Sequence, residues 1–550
     1  MATLIDIFGF LSVVIRGVVL VTQSFVVGGI AFLLLMGGIA RELGADGERL
    51  DSRSRRFLLW SSLAFTLAEL AYVGVQSAVL MGTVGLELTD VLGADFARAG
   101  LTLAGAGLVC AWVARSPLRG TSGIALGALG VLVLVAQATT SHAMARLDDR
   151  APLFIADVLH MAGAAVWIGG IPYFLLALTG TQGGVAWRRI GKRFSLMAMV
   201  SVAVLLAGGL VMAVVYIGSI DAIYGTAYGV MVSTKVLLLV GLLFLGGMNF
   251  LLVERLRNDP STSILRLKRF AEVEIGVGLT VLFAAASLTS QPPAVDLKQD
   301  RATFAEVVDR FVPQWPVRLS SPDRDQLTAY RVEIARQDAA KSHQPLPIAY
   351  ALGSGVLPPR DPADIAWSEY NHHWAGVAVL LIGLLALGER SGFAPWARHW
   401  PLIFVGLAVF LLFRSDPEVW PLGDIGFFAS FRDPEVAQHR VFVILIAGFG
   451  IFEWCVRTGR IRSQRPALVF PLICALAGAL LLTHSHALAN IKDQLLIEVT
   501  HTPLSLCGIT AGWARWLEIR LEPPASRIAG WIWPIAFTLV GLILIIYHET

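Results

Sequence analysis

The chain has 550 residues, of which 56% are hydrophobic and only 15% charged, well below the roughly 25% charged residues of soluble domains. This is the composition of a membrane protein. The formal net charge of +3 excludes the broadly basic surface that nucleic-acid binding needs, so the positions of the charges carry more meaning than their sum. The four cysteines, Cys110, Cys455, Cys474 and Cys507, lie in or at the ends of apolar runs with no CxxC or CxxCH spacing. That leaves no disulfide framework, thiolate zinc site or covalently attached c-type haem.

The N-terminus, MATLIDIFGF, places Asp6 where a secretory signal carries Lys or Arg, and its apolar stretch continues to Ile39 without an A-x-A-like end. It reads as a retained first span. About fourteen runs are long and apolar enough to cross the hydrocarbon core as helices, which satisfy their own backbone groups where no water can. They lie near 18–39, 57–80, 99–114, 122–141, 153–178, 194–217, 229–252, 270–290, 372–388, 399–413, 439–456, 466–483, 501–517 and 529–547.

The Lys/Arg bias of the short loops sets the orientation. Basic connections at 41–56, 115–120, 187–193, 254–269, 389–399, 457–465 and 515–527 fall on every second loop, so that side is assigned to the cytoplasm. The alternate loops are poor in base, and both termini are expected in the periplasm. The expected fold is an all-α polytopic bundle in two parallel, loosely repeated halves, 1–290 and 372–550. A periplasmic segment, 291–371, separates them. Within it AEVVDRFV and RDQLTAYRVEIARQ have helical character, PLPIAYALGSGVLPPRDP reads as an irregular linker, and a cap or spacer is the expected role. The repeat rests on two echoes. Ser141-His142-Ala143 returns as Ser485-His486-Ala487, and Asp157-x-x-His160 returns as Glu498-x-x-His501, which suggests duplication about an axis normal to the membrane.

The histidines are unevenly placed. His142, His160, His372, His373, His439, His484, His486 and His501 all map to the outer ends of helices, while His343 is in the separating segment, His548 ends the chain and only His399 is inside. One histidine at an interface is ordinarily an amphipathic anchor. Eight at one level form a candidate metal-binding vestibule, because imidazole ligates copper, zinc and iron, and polar groups at membrane depth line cavities rather than face lipid. Asp157 and Glu498 precede their histidines by three residues, on the same helix face, where a carboxylate can accept the spare imidazole N–H. Met144 and Met161 adjoin His142 and His160. They are candidate soft ligands that favour Cu(I), although methionine is equally an ordinary gap filler between packed helices. His372 and His373 are adjacent, so a helix points them in different directions. Arg16 and Glu69 form a candidate pair between the first two helices. Lys235, Asn249, Glu272 and Glu274 are further polar groups within spans, with Glu272 or Glu274 a candidate for a transport role.

The stretch SHAMARLDDRAPLFIADVLHMAGAAVWIGGIPYF (141–174) and its continuation to residue 293 resemble the copper resistance D family of bacterial inner-membrane proteins. The residues that carry the resemblance are His160, Trp167-Ile168-Gly169-Gly170, Arg193-Phe194-Ser195, Tyr228-Gly229, Lys235, Asn249 and Glu274. The second half resembles the C-terminal extension of long members, through HHWAGVAVLLIGLLALGERSG, QHRVF and the HSH…TH motif. The resemblance implies copper handling, pictured as movement of copper from periplasm to cytoplasm, in some cases with a periplasmic copper-binding partner of the copper resistance C type. Residues 291–371 lack the histidine and methionine clustering that a fused partner would bring.

The leading expectation is therefore a transporter or metal-binding protein in contact with membrane lipid, taking Cu(I) as its ion. The alternative is a b-type cytochrome in which facing histidines hold haem b and pass electrons. A purely structural subunit is a third reading, but it has no use for aligned histidines. No Walker loop or recognisable nucleophile motif is present, so neither ATP-driven transport within this chain nor a hydrolase is supported.

Overall fold

The computed structural model describes the chain except for residues 1, 118–119, 147, 300, 329, 332–333, 336–360, 432–433, 464, 483–490 and 550. The described residues are helical with no β-strand, and their one bridge joins Val419 and Ile425. The contacts divide the chain into Phe10–Arg301 and a second unit, Ala302–Thr550 with Met1–Gly9.

In the first unit the helices are α1 (Ala2–Glu42), α2 (Ala45–Val84), α3 (Leu88–Gly93), α4 (Asp95–Val113), α5 (Thr121–Ala138) and α6 (His142–Ala145). They continue as α7 (Arg150–Gly180), α8 (Gly184–Ile217), α9 (Asp221–Gly225), α10 (Ala227–Asn258) and α11 (Leu265–Thr289). Consecutive long helices pack as neighbours, most extensively α7 with α8, α2 with α4, and α10 with α11. Small residues set the closest crossings, as they do where no aqueous hydrophobic effect drives helices together. A Cβ on Gly169 of α7 would stand 1.8 Å from the Ser24 carbonyl oxygen of α1, so these two backbones touch. The flanking residues of that motif reach other helices: Ile168 packs against Gly278 of α11, and Trp167 lies beside Gly246 of α10. The WIGG sequence is thus a hub whose successive side chains, or lack of them, dock three different helices.

The second unit contains α12 (Phe304–Asp309), α13 (Pro362–Arg390), α14 (Leu402–Arg414), α15 (Phe427–Ser430), α16 (Pro434–Arg457), α17 (Val469–Leu481), α18 (Ile491–Arg520) and α19 (Ala525–Ile545). Helix α13 starts on a capping box in which Asp361 accepts from the Ala363 and Asp364 amides, and Pro362 at the first turn lacks the N–H that would otherwise be orphaned. A buried cluster of Ile382, Trp400, Phe404, Phe470 and Trp533 ties α13, α14, α17 and α19 together. The expected helix at 305–312 is the short α12, opened by a Thr303–Glu306 capping box. The expected helix from residue 324 begins as a single 3-10 turn, Arg324–Gln326. Most of the irregular linker falls outside the described residues.

Among the described residues each of the fourteen apolar runs is largely helical, and eleven helices are long and apolar enough to cross a membrane. The chain is a multi-pass membrane protein. The other three runs fall short for identifiable reasons. Leu402–Arg414 and Pro466–Leu481 are short apolar helices, and in α18 the run is diluted by His501, Thr502, Ser505, Thr510 and Arg515.

Candidate functional site

In the first unit the ends of α5, α8 and α11 meet the starts of α7 and α10, and His160 and Lys235 of the resemblance lie in this region. His142 opens α6. Its ring meets Tyr216 edge to face at 6.4 Å, and Tyr216 meets Tyr228 of α10 in the same way at 6.2 Å. Arg146 lies over Tyr216 and pairs with Asp296 at 2.7 Å. The Nε2 of His142 is buried without a hydrogen-bond partner. Burial lowers the basicity of this imidazole below its ordinary value, against the raising effect of a hydrogen bond to the Thr289 backbone.

His160 lies ten residues into α7, roughly 15 Å along the helix at 1.5 Å per residue. Its Nδ1 stands 2.9 Å from the carbonyl oxygen of Leu205 on α8. The ring fits there because α8 offers Gly208 and Gly209: a Cβ on Gly209 would sit 2.9 Å from the His160 Nδ1, and one on Gly208 2.4 Å from the Ala156 carbonyl oxygen. A carbonyl can only accept, so Nδ1 carries the proton and Nε2 carries the lone pair, the form in which imidazole binds a metal. Asp157, one turn earlier, is within hydrogen-bond reach of Ser141 and within electrostatic reach of Arg16 and Lys235, while its Oδ2 is buried without a partner. Lys235 also acts electrostatically on His160. Ser141, Asp157, His160, Arg16 and Lys235, from four separate helical segments or their ends, therefore share one polar interior.

Arg16 is held from a direction that residue spacing does not reveal. With the Gln137 amide turned so that its oxygen faces Arg16, that oxygen accepts from Arg16 Nη1 at 3.0 Å, and the amide nitrogen donates to Gln23 Oε1 at 3.2 Å. Arg16 and Glu69 are within electrostatic reach of each other, yet Glu69 Oε1 is buried with no hydrogen-bond partner. A second polar node lies elsewhere in the unit, where Asn249 of α10 donates to Glu274 Oε2 of α11 at 2.5 Å. Glu272 pairs with Arg269 on its own helix.

In the second unit His372, His501 and Tyr547 form a compact aromatic group. His372 stacks on Tyr547 at 4.2 Å, and His501 meets both rings edge-on, at 5.8 Å from His372 and 5.7 Å from Tyr547. The Nδ1 atoms of His372 and His501 stand 2.8 Å from the carbonyls of Ser368 and Ile497, each one turn back on its own helix. The carbonyl therefore again assigns the proton to Nδ1. His373 points elsewhere, as adjacency on a helix requires. Its Nδ1 faces the Arg318 carbonyl at 3.0 Å and its Nε2 the Tyr547 carbonyl at 2.8 Å. His439 is bound at Nδ1 by Asp416, 2.6 Å away, and Glu498 is buried beside His501 on α18. Met144 and Met161 are partly buried. His484 and His486 lie outside the described residues. Among the described residues no three His, Cys, Asp or Glu side chains gather closely enough to share one metal ion.

These features define a helical membrane protein with histidine, lysine and carboxylate groups gathered inside its spans. Residues 188–288 match the family model of copper resistance protein D. This matched segment begins on α8 and ends on α11. A stretch of 164 residues is 34% identical to the copper transport protein CutJ of Bacillus subtilis (strain 168), and covers 29% of this chain and 29% of that relative. No solved structure matches the chain.

Proposed function

We propose that the chain handles copper in a bacterial inner membrane, taking the ion from the outer side into the polar interior around His160, with both termini periplasmic. The observation that carries this is the posture of His160: Leu205 fixes its Nδ1 as the protonated nitrogen, and the glycine pair of α8 makes room for the ring. The lone pair of Nε2 is thereby committed to accepting an ion or a proton. Its neighbours fit passage better than storage. Donors strung from His142 to His160 offer an ion successive weak stations, whereas a closed cage of three or four ligands would hold it. The copper transport protein matched over part of its length supports copper as the cargo, and imidazole with nearby Met144 and Met161 suits Cu(I).

In the second half His372 and His501 take the corresponding role, with His484 and His486 as further donors and His439 as an outer one. His373, with both nitrogens turned to carbonyls, ties α13 to the loop at Arg318 and to the chain just past α19. A separate periplasmic copper-binding protein of the copper resistance C type would deliver the ion.

The test is uptake of Cu(I) into proteoliposomes containing the full chain, with a visible spectrum of the same preparation. Uptake that falls at least about tenfold in His160→Ala, in a protein without a haem absorption band, supports the proposal. Unchanged uptake in that variant refutes it, and a reducible Soret band assigns the histidines to haem b instead.

A further inference from the structure

The base-rich end of the second unit holds a cavity of about 450 Å³, lined among others by Arg390, Arg457, Arg515, Arg527, Glu389 and Glu518. It lies at the ends of α13, α16 and α18 and the start of α19, opposite in chain direction to His372 and His501. Two indoles pack into its walls. Arg457 lies over Trp400 at 4.6 Å and over Trp533 at 5.1 Å, and both indoles are nearly fully buried.

The hydrogen bonds in this cavity do not balance. Glu518 accepts from Arg390 through Oε1, and from Arg515 and the Trp533 indole through Oε2. Glu389 Oε2 accepts from both Arg457 and the Trp400 indole. Arg457 is additionally bound by Glu453 at 2.9 Å. The carboxylates are thus shared among several donors each, and donors remain. Arg457 Nη2, Arg390 Nε and Arg515 Nε are buried without partners, although the Arg457 side chain is only 10% exposed. Four guanidinium groups face three carboxylates, so the group keeps a positive charge. Arg527, exposed at the rim, adds the one guanidinium that no carboxylate in the group holds. A surplus of fixed, forked N–H donors in a low-dielectric wall is satisfied by a compact anion with several acceptor oxygens, for which guanidinium is the matching partner.

We infer that this cavity is a binding site for a phosphate group, supplied either by an anionic phospholipid headgroup or by free inorganic phosphate. The lining favours phosphate over a single carboxylate because guanidinium groups from four helices border one cavity, and a phosphate offers more acceptor oxygens to share among them than one carboxylate does. Its position at the end of the bundle where the loops are basic is that of an inner-leaflet headgroup site. Anion binding there would pin the ends of α13, α16, α18 and α19 to one another.

The test uses the full chain, purified and delipidated, against Arg527→Gln at the rim and Arg515→Lys within the cavity. Inorganic phosphate is titrated by calorimetry, and bound lipid is counted by native mass spectrometry after incorporation into nanodiscs of phosphatidylcholine with or without phosphatidylglycerol. The site predicts saturable binding of one phosphate group, weakened about tenfold by Arg527→Gln. Arg515→Lys, which keeps the charge but loses the fork, weakens it as well. Retained phosphatidylglycerol that phosphate does not displace assigns the headgroup as source, and phosphate binding without lipid retention assigns the free ion. Equal binding of both probes by wild type and both variants, or no binding by a folded wild type, overturns the inference.

Discussion

The imidazole Nδ1 of His160 on α7 stands 2.9 Å from the carbonyl oxygen of Leu205 on α8, and this contact decides which nitrogen of the ring can meet a metal ion. It also fixes the distance between the two helices, because the ring occupies the space that Gly208 and Gly209 leave open. Substituting Gly209 by Val would drive a side chain into the ring, 2.9 Å from where its Cβ would begin. The expected result is a loss of about 1–3 kcal/mol in stability, read from denaturant titration in detergent, with copper uptake falling at least as far as in His160→Ala. Unchanged uptake in a folded Gly209→Val protein would show that ring position is irrelevant.

Asn249 and Glu274 are both buried, and the Asn249 amide is the donor to Glu274 Oε2. Replacing Asn249 by Leu removes that donor and leaves the carboxyl group buried and unbonded, at a cost of about 1–3 kcal/mol. Replacing Glu274 by Gln keeps an acceptor for Asn249 and should cost less. Thermal midpoints in detergent check the order, and the reverse order would contradict it.

The adjacent histidines of α13 should separate cleanly. His373→Ala deprives the Arg318 and Tyr547 carbonyls of their ring partner and should lower stability by about 1–3 kcal/mol while leaving copper binding unchanged. His372→Ala should lower copper binding with the smaller effect on stability. Equilibrium dialysis with copper, alongside thermal denaturation, reads both quantities.

One pH effect lies outside the spans. Glu306 is held down to about 2 by its hydrogen bond to Lys492, 2.6 Å away, and by the Thr303 backbone and hydroxyl. Its folded value is below the ordinary carboxylate value of about 4.3, so the contribution is complete above that pH and is lost as pH falls toward about 2. The pair is exposed, so it contributes less than about 1 kcal/mol. The difference in thermal midpoint between wild type and Glu306→Gln should therefore be small at pH 5 and vanish near pH 2.

The helices are legible because a span of apolar residues has few alternatives to being a helix in lipid, and among the described residues each of the fourteen runs is largely helical. Which of them qualify as long apolar spans was less legible. The run at 501–517 belongs to α18, whose charged residues extend well beyond the apolar stretch that marks it in sequence. At the site, residue spacing located Asp157 and His160 on one face of α7 but not their contacts. The partner of Nδ1 is a main-chain carbonyl in all three cases, His160, His372 and His501, and a carbonyl leaves no mark in a sequence. Gln137 went unremarked, although an amide inside the run VLVLVAQA is the kind of signal that finds such a residue, and it is what holds Arg16. In the sequence the arginines that line the cavity of the second unit stand out only as charges that orient loops. Their convergence depends on how α13, α16, α18 and α19 pack, which loop charge does not encode.

The most direct measurement is copper K-edge X-ray absorption on the full chain loaded with one equivalent of Cu(I), wild type beside His160→Ala and His142→Ala. The account predicts imidazole scattering around copper in the wild type, and a loss of bound copper or of that scattering in His160→Ala, with a weaker change in His142→Ala. Identical spectra and identical copper content in all three proteins would contradict it.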